Sequence, residues 1–557
     1  MTQTVVDRRS VLQYAVGFDL VIIAVGIALL IPAGSGMTLV PFIAAVGLAT
    51  SRSGWRVGLA TTAFSLIALL LIFEELVPLL QLGMFVFIGV AASLLLDRSR
   101  APEPDPADVA GLVELSQQTR ARAIPALMYL GLPLLALVVY MNLSNLFVEN
   151  YSLPSILQPL ILVLAGLVVH YREAFRPLAT LLRPLTLALI AYCLVVFASS
   201  NWARSVSEAD GVLTELIKSL LLMLVAGSLA ASWRALRGVL IVVAAGAALL
   251  CALELVQVVT GDRDLQFGGL ARIDEGHIFG DVTELRPAGP VGDPNYYARI
   301  LVLAFPAAAF LGIDRRSRRE QAFWIAAAGL IALGILFTYS RGGMLTLGAV
   351  MFLLVLVRRL PVNPVTVGIG LVGLIALIPT NVGQRFLTIE SLFESSQMMD
   401  ASTEKRKQLL AVGWQIFADN PLAGVGAGNF GAHYPSYANT VGLTSLDFTP
   451  MGVRQYPHNL YLEMGIETGV IGLLTFGGAM FIALAGLFRA RRTLLARGEP
   501  GNAALVTAIA FAIIGYLLAS LFLHAGYPRY LWLFLGLAAA AIGLTEDGYV
   551  SPEARQT

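Results

Sequence analysis

The sequence predicts an all-α polytopic integral membrane protein of about 12–16 transmembrane helices with a long, partly helical outer loop. Three observations lead there. Hydrophobic residues fill 57% of the 557 positions and charged residues only 13%, against roughly 25% charged in an average soluble domain. A chain of this length therefore has too little polar surface to cover several soluble domains. Apolar runs of spanning length recur along almost the whole sequence. Finally, a net charge of +1 and two cysteines exclude a disordered chain, a nucleic-acid binder and a disulfide-stapled scaffold.

A spanning helix needs roughly 20 mostly apolar residues, because its backbone must satisfy its own hydrogen bonds across the hydrocarbon. Candidate spans lie near 14–33, 37–50, 57–73, 77–96, 124–142, 154–170, 184–199, 211–231, 238–259, 294–313, 322–340, 343–357, 365–380, 457–488, 502–523 and 529–545. The first follows Arg8 and Arg9 as a secretory signal would. It is long, however, lacks a convincing cleavage site and leads straight into further runs, so it is expected to remain as a span. After the fourth, APEPDPAD and mixed charge over 97–123 read as a solvated linker. The loops 260–293 and 381–456 are long and rich in polar and aromatic residues.

Basic residues in short loops set orientation. With the N-terminus inside, 24 of the 37 fall on the inner side and 11 on the outer, and both long polar loops lie outside. Lys218 and Arg299 fall within spans. The chain is thus expected to divide into an N-terminal transmembrane block with its cytoplasmic linker (1–123), further helices (124–234), a core that includes the outer loop 381–456 (235–490), and C-terminal helices (491–557). Any chemistry is expected on the outer face.

Four segments carry the polar residues of that face: ELRPAGPVGDPNYYAR (284–299), FTYSRGGMLTLG (337–348), STEKRKQLLAVGWQIFADNPLAGVGAGNF (402–430) and YPHNLYLEMGIETGVIGL (456–473). They put Arg286, Arg341, Arg406 and His458 at outer membrane boundaries. Clustered arginines suit a diphosphate, because guanidinium forks pair bidentately with phosphate oxygens and keep their proton. For Arg341 the alternative is a helix-end residue that snorkels to headgroups; Gly342 and Gly343 point instead to a tight break between spans. Arg406, flanked by Lys405 and Lys407, reads equally as a solvated basic face. Arg299 lies one turn into a span beneath Asp293 and Asn295, either as a functional intramembrane charge or as the partner of Asp293. Arg454 is a further outer cation, and Lys218 reads as a structural pair with Glu215 at i, i+3.

His458 starts a helix after Pro457, and Glu463 and Glu467 share one face of it. A neutral imidazole there can take a proton from a hydroxyl near neutral pH, although position alone equally allows an interfacial histidine. GVGAGNF (424–430) lacks the dinucleotide spacing and the strand–helix setting, and reads as a turn for close helix packing. His170, His277, His433 and His524 are scattered, and no HExxH or CxxC occurs, so no metal site is expected. Cys193 and Cys251 lie in spans and read as small core residues.

Together the segments resemble the O-antigen ligase and O-antigen polymerase superfamily of bacterial polyprenol-dependent membrane glycosyltransferases, over roughly residues 235–490. SRGG (340–343), the run from Arg406 through DNPLAGVGAGNF, and PHNLYLEMGIETGVIG occur in that family's order, and RPAGPVGDPNYYA (286–298) resembles its preceding loop. The resemblance implies a metal-independent transferase with no cofactor, seated in the bacterial cytoplasmic membrane with its active site outside. Its donor would be a glycan on undecaprenyl pyrophosphate and its acceptor a glycan or lipid, serving lipopolysaccharide or exopolysaccharide assembly. It implies that Arg286, Arg341 and Arg406 hold the diphosphate, that His458 is the base on the acceptor hydroxyl, and that Glu467 orients the histidine or the sugar. Arg299, Arg454 and Glu463 are secondary candidates. The alternative is a transporter or flippase of the same lipid-linked glycan, with Lys218 and Arg299 lining a path; no internal repeat supports it.

Overall fold

A computed structural model describes residues 122–262, 264–279, 282–313, 317–358, 401–440, 455–526 and 528–546. The candidate spans at 14–33, 37–50, 57–73, 77–96 and 365–380, and Arg454, lie outside the described residues. The chain divides into two compact units. In the smaller, which holds 153–177 and the residues up to Gly131, Leu164 packs against Gly131. The larger unit holds 132–152 and the chain from Leu178 onward, and contains every candidate site residue that is described.

Every remaining candidate span is a helix. Together with two helices of the long polar loop, they are in order α1 (Arg122–Tyr140), α2 (Leu157–His170), α3 (Pro184–Ser199), α4 (Val206–Leu229), α5 (Trp233–Thr260), α6 (Pro294–Ile313), α7 (Arg318–Phe337), α8 (Arg341–Arg358), α9 (Ala401–Asp419), α10 (Phe430–Thr440), α11 (Leu460–Ala496), α12 (Pro500–Ala519) and α13 (Arg529–Glu546). Among the described residues nine are long and apolar enough to cross a membrane, or ten if Leu157–His170 with Arg172–Leu181 counts as one span. The chain is a multi-pass membrane protein. Among the described residues of the long polar loop, α9 and α10 are helical.

The starts of these helices follow the sequence. Proline opens α3, α6 and α12, where its missing N–H is harmless. Ser232 caps α5 by accepting from Ala235 N at 3.1 Å, and Asp293 caps α6, accepting from Asn295 N at 2.8 Å and Tyr296 N at 3.0 Å. α6 is the centre of the larger unit: Tyr296 through Gly312 are all buried, against α5, α7, α8 and α12. α3, α7 and α8 instead present Leu194, Phe197, Phe323, Ile325 and Phe352 outward, as a lipid-facing belt requires. Close approach relies on small residues. A Cβ on Gly227 of α4 would stand 3.1 Å from the Gly536 carbonyl of α13. Lys218 donates to Glu215 at 2.9 Å, the structural pair expected.

Two features depart from the sequence reading. The loop 260–293 is built around a two-stranded antiparallel hairpin, β1 (Arg272–Phe279) and β2 (Val282–Gly289), in a fold otherwise helical. The expected single span at 457–488 is instead broken at Gly469, whose φ of 65° and ψ of −165° suit glycine almost alone. GVGAGNF splints this break: Val425 N and Gly426 N donate to the carbonyls of Ile466 and Glu467 at 2.8 and 3.0 Å, and Val470 N to that of Pro421 at 2.8 Å. Gly424, Gly426 and Gly428 all have positive φ, and a Cβ on Gly426 would meet Ala203 Cα at 2.7 Å. The segment is the packing turn that its spacing suggested.

Candidate active site

The hairpin, the start of α6, the α7–α8 turn and the start of α11 meet at one end of the bundle. Arg286 stands on β2 opposite Asp274. Its Nε donates to the Thr338 carbonyl at 3.1 Å, and its Nη2 lies 3.5 Å from Asn295 Oδ1. Thr338–Ser340 form the turn between α7 and α8, with Tyr339 at a φ of 52°. Arg341 is the first residue of α8, where exposed N–H groups and the helix dipole favour an anion. Ser340 Oγ accepts from Gly343 N at 3.3 Å.

The two glycines of SRGG do something other than break the chain. The turn is complete before them, and they allow packing: a Cβ on Gly342 would stand 2.8 Å from Phe522, and one on Gly343 2.7 Å from Ala298.

Arg406 reaches the same place from α9. Burial lowers its pKa from the ordinary guanidinium range; Asp293 pulls it back up, and Arg286 and Arg341 push it further down. Arg286 likewise is lowered by burial, with Asp274 and Asp293 opposing and Arg341 adding to the shift. Guanidinium still keeps its proton at neutral pH. The three arginines foreseen as a group therefore share one electrostatic field, a convergence of segments from three parts of the chain. Arg406 does not lie on a solvated basic face. It lines a narrow crevice with Asn295, Arg299, Ser340, Gly342, Gly343, Ala519, Phe522 and Leu523.

Arg299 does not pair with Asp293, which caps α6. It is 1% exposed, and its Nη1 donates to Ser520 Oγ at 3.3 Å and to the His524 carbonyl at 3.0 Å, while Nη2 donates to the Gly526 carbonyl. Its guanidinium also lies 4.8 Å from the Tyr296 ring centroid and 4.5 Å from that of Tyr516. These contacts hold the turn 520–526 between α12 and α13.

His458 is not the first helical residue. It sits at a φ of 47° ahead of Asn459, whose Oδ1 caps α11 by accepting from Leu462 N at 2.9 Å. Asn459 Nδ2 donates to the Leu521 carbonyl and Leu460 N to the Ser520 carbonyl, each at 3.0 Å, and Glu463 accepts from Ala525 N at 2.6 Å. Both the segment carrying His458 and Arg299 thus brace the 520–526 turn. Glu467 sits two residues before the break at Gly469, roughly 10 Å along the axis from Leu460 at 1.5 Å per residue. Glu463 is accordingly the carboxylate tied to the turn beside His458.

Sequence reasoning missed His524 and its aromatic neighbours. The His524 ring lies edge-on to His458 with centroids 5.5 Å apart, stacks on Tyr456 at 3.9 Å and 9°, and has the Tyr296 hydroxyl 2.6 Å from its nitrogens. A signal was available: His524 lies in a short polar turn between two apolar runs, at the membrane boundary where His458 was expected. Among the described residues no group of three His, Cys, Asp or Glu is placed to hold a metal ion.

Residues 325–477 match the family model described as O-antigen ligase (Wzy_C). The match spans the SRGG turn, Arg406, the splinting glycine loop, His458 and the broken start of α11, and it supports a glycan-transfer role in polysaccharide assembly. No curated protein matches the chain significantly.

Proposed function

We propose, from the match of residues 325–477 to the O-antigen ligase family model, that the protein transfers a glycan from undecaprenyl pyrophosphate to an acceptor hydroxyl, on the outer face of the bacterial cytoplasmic membrane. The observation that carries the reading is the shared field of Arg286, Arg341 and Arg406, with burial and mutual repulsion acting on the charged forms of Arg286 and Arg406. A diphosphate bound there relieves that repulsion and is met by guanidinium forks. No nucleotide sugar or metal ion is needed for this charge balance.

The arrangement supports the following reaction. The acceptor oxygen attacks the anomeric carbon as the bond from that carbon to the diphosphate oxygen breaks. His458 takes the hydroxyl proton. Charge builds on the departing diphosphate, and the arginines stabilise it as it develops. Glu463 holds the turn beside His458, and Glu467 orients the histidine or the sugar. The same chemistry serves a ligase, whose acceptor is a lipid or protein, and a polymerase, whose acceptor is another lipid-linked glycan.

The test uses purified protein with lipid-linked glycan extracted from the producing cells, alone and with candidate acceptors, in the presence of EDTA. Chain lengthening without an added acceptor identifies a polymerase, and product only with an acceptor identifies a ligase. His458→Ala is expected to abolish product while the protein remains monodisperse. Full activity of that variant, or translocation of the donor across vesicles with no new glycosidic bond, would overturn the reading.

A further inference from the structure

The aromatic group around His458 extends the proposed mechanism and rests on that reading of His458 as the base. An imidazole that must take a proton from one hydroxyl needs a fixed ring plane, and its own backbone offers little constraint. His458 precedes the helix cap in a left-handed conformation, outside the hydrogen-bonded turns of α11. The ring of His524 stands edge-on to its ring, with centroids 5.5 Å apart.

His524 is itself held from four directions. Tyr456, two residues ahead of His458, covers one face in a near-parallel stack. The Tyr296 hydroxyl reaches its ring nitrogens from the first turn of α6, and the two rings also meet edge-on with centroids 5.2 Å apart. Its carbonyl is fixed by the buried Arg299, and the next residue, Ala525, donates its N–H to Glu463. Tyr296 of α6 and the segment leading into α11 thus converge on one side chain, while Arg299 of α6 and Glu463 of α11 fix its backbone and that of the next residue. A residue needed only to connect α12 to α13 would not require this.

We propose that His524 is a positioning residue, which holds the His458 ring in its reactive orientation by edge-on contact and is itself locked by Tyr456 and Tyr296. Buried Arg299 and Glu463 belong to the same device: they fix the turn that carries His524. Misplacing a reacting group by about 1 Å lowers rate by around 100-fold while leaving binding of distant substrate groups intact.

The experiment compares His524→Ala, His524→Phe and His458→Ala with the unaltered protein, using extracted lipid-linked glycan as donor and measuring kcat, KM for the donor and thermal unfolding in detergent. His524→Ala is expected to lose about 100-fold in kcat with KM for the donor nearly unchanged. His524→Phe keeps a ring against Tyr456 and His458 and loses only the link to Tyr296, so it recovers kcat to within about tenfold of the unaltered protein. Recovery by a side chain that cannot transfer protons separates positioning from acid–base chemistry at His524 itself. The proposal falls if His524→Ala keeps full kcat while His458→Ala is inactive, if His524→Phe is as impaired as His524→Ala, or if kcat falls only as far as unfolding removes protein. Full activity in His458→Ala would instead remove the reading on which it rests.

Discussion

Replacing Arg286 with alanine separates what this residue does for binding from what it does for folding. Arg286 is held by one backbone hydrogen bond, Nε to the Thr338 carbonyl at 3.1 Å, and only loosely by Asn295 at 3.5 Å. The second contact is at the limit of a hydrogen bond, so the Nη edge is available to a diphosphate. A hydrogen bond to a charged group contributes about 1.5–3 kcal/mol. At about 1.4 kcal/mol per factor of ten, its loss lowers kcat/KM for the donor by roughly 10- to 150-fold.

The stability effect has the opposite tendency. Burial and Arg341 depress the pKa of Arg286. The folded state of a base with a depressed pKa disfavours the protonated form, which is the form present across the whole neutral range. Below the folded pKa the charge therefore opposes folding, and removing it relieves that opposition. Against this stands the charge-assisted bond to Thr338, about 1.5–3 kcal/mol. Arg286→Ala should therefore unfold within a few degrees of the unaltered protein while losing donor turnover. Arg286→Lys, which keeps the charge and loses the fork, should recover little of the activity. Detergent-extracted protein followed by thermal unfolding and donor turnover reads both quantities. Unchanged kcat/KM in the alanine variant would refute the diphosphate assignment, and a collapse in melting temperature would refute the assignment of Arg286 to binding rather than to structure.

Gly469→Ala forces a side chain into a backbone conformation that costs about 1–3 kcal/mol for residues other than glycine, and its Cβ would collide with the Leu422 carbonyl. Its melting temperature should drop by several degrees, and an unchanged value would mean that the helix runs through. Inorganic pyrophosphate should compete with the donor, less effectively at high salt because the cluster is reached from solvent; inhibition that excess donor cannot overcome would place the anion elsewhere. Arg299→Met keeps volume but removes the donors to Ser520, His524 and Gly526. It should destabilise the fold by about 1–3 kcal/mol for each buried acceptor left unmet, and normal unfolding with raised KM for the donor would reassign Arg299 to substrate.

The helices were legible because a membrane leaves them few alternatives: each of the eleven candidate spans within the described residues corresponds to a helix. The arginine trio was legible because charge at an apolar boundary is scarce. What periodicity could not reveal depends on contacts between distant segments. The break at Gly469 exists because Pro421–Gly426 binds the carbonyls there, more than 40 residues earlier in the chain. The hairpin strand carrying Arg286 gave no span-length signal, and its register needs Asp274 opposite. His524 read as a lone histidine because its partners, Tyr296 and Tyr456, are separated from it by about 230 and 70 positions.

The arginines at this end of the bundle differ in where their donors point, and that separates their roles better than depth does. Arg299 is the most buried, which by membrane logic alone marks it as a functional charge. Yet its Nη groups are directed to Ser520 Oγ and two backbone carbonyls of one turn, and its faces meet two tyrosine rings. Arg529 similarly reaches Asn142 and Asn145 of an earlier segment. Both tie chain to chain with neutral acceptors, the arrangement expected of a brace. Arg286 and Arg406 instead have a neighbouring guanidinium among the causes of their shifts. Like charges brought together under burial repel, and the proposed diphosphate would relieve that repulsion. The position of Arg299 beside the crevice, with its cation turned toward the turn that carries His524, then links the two halves of the site. The proposed diphosphate grip and the proposed base both lean on the first turns of α6, through Asn295 beside Arg286 and Tyr296 against His524, so a shift of that helix would disturb both together.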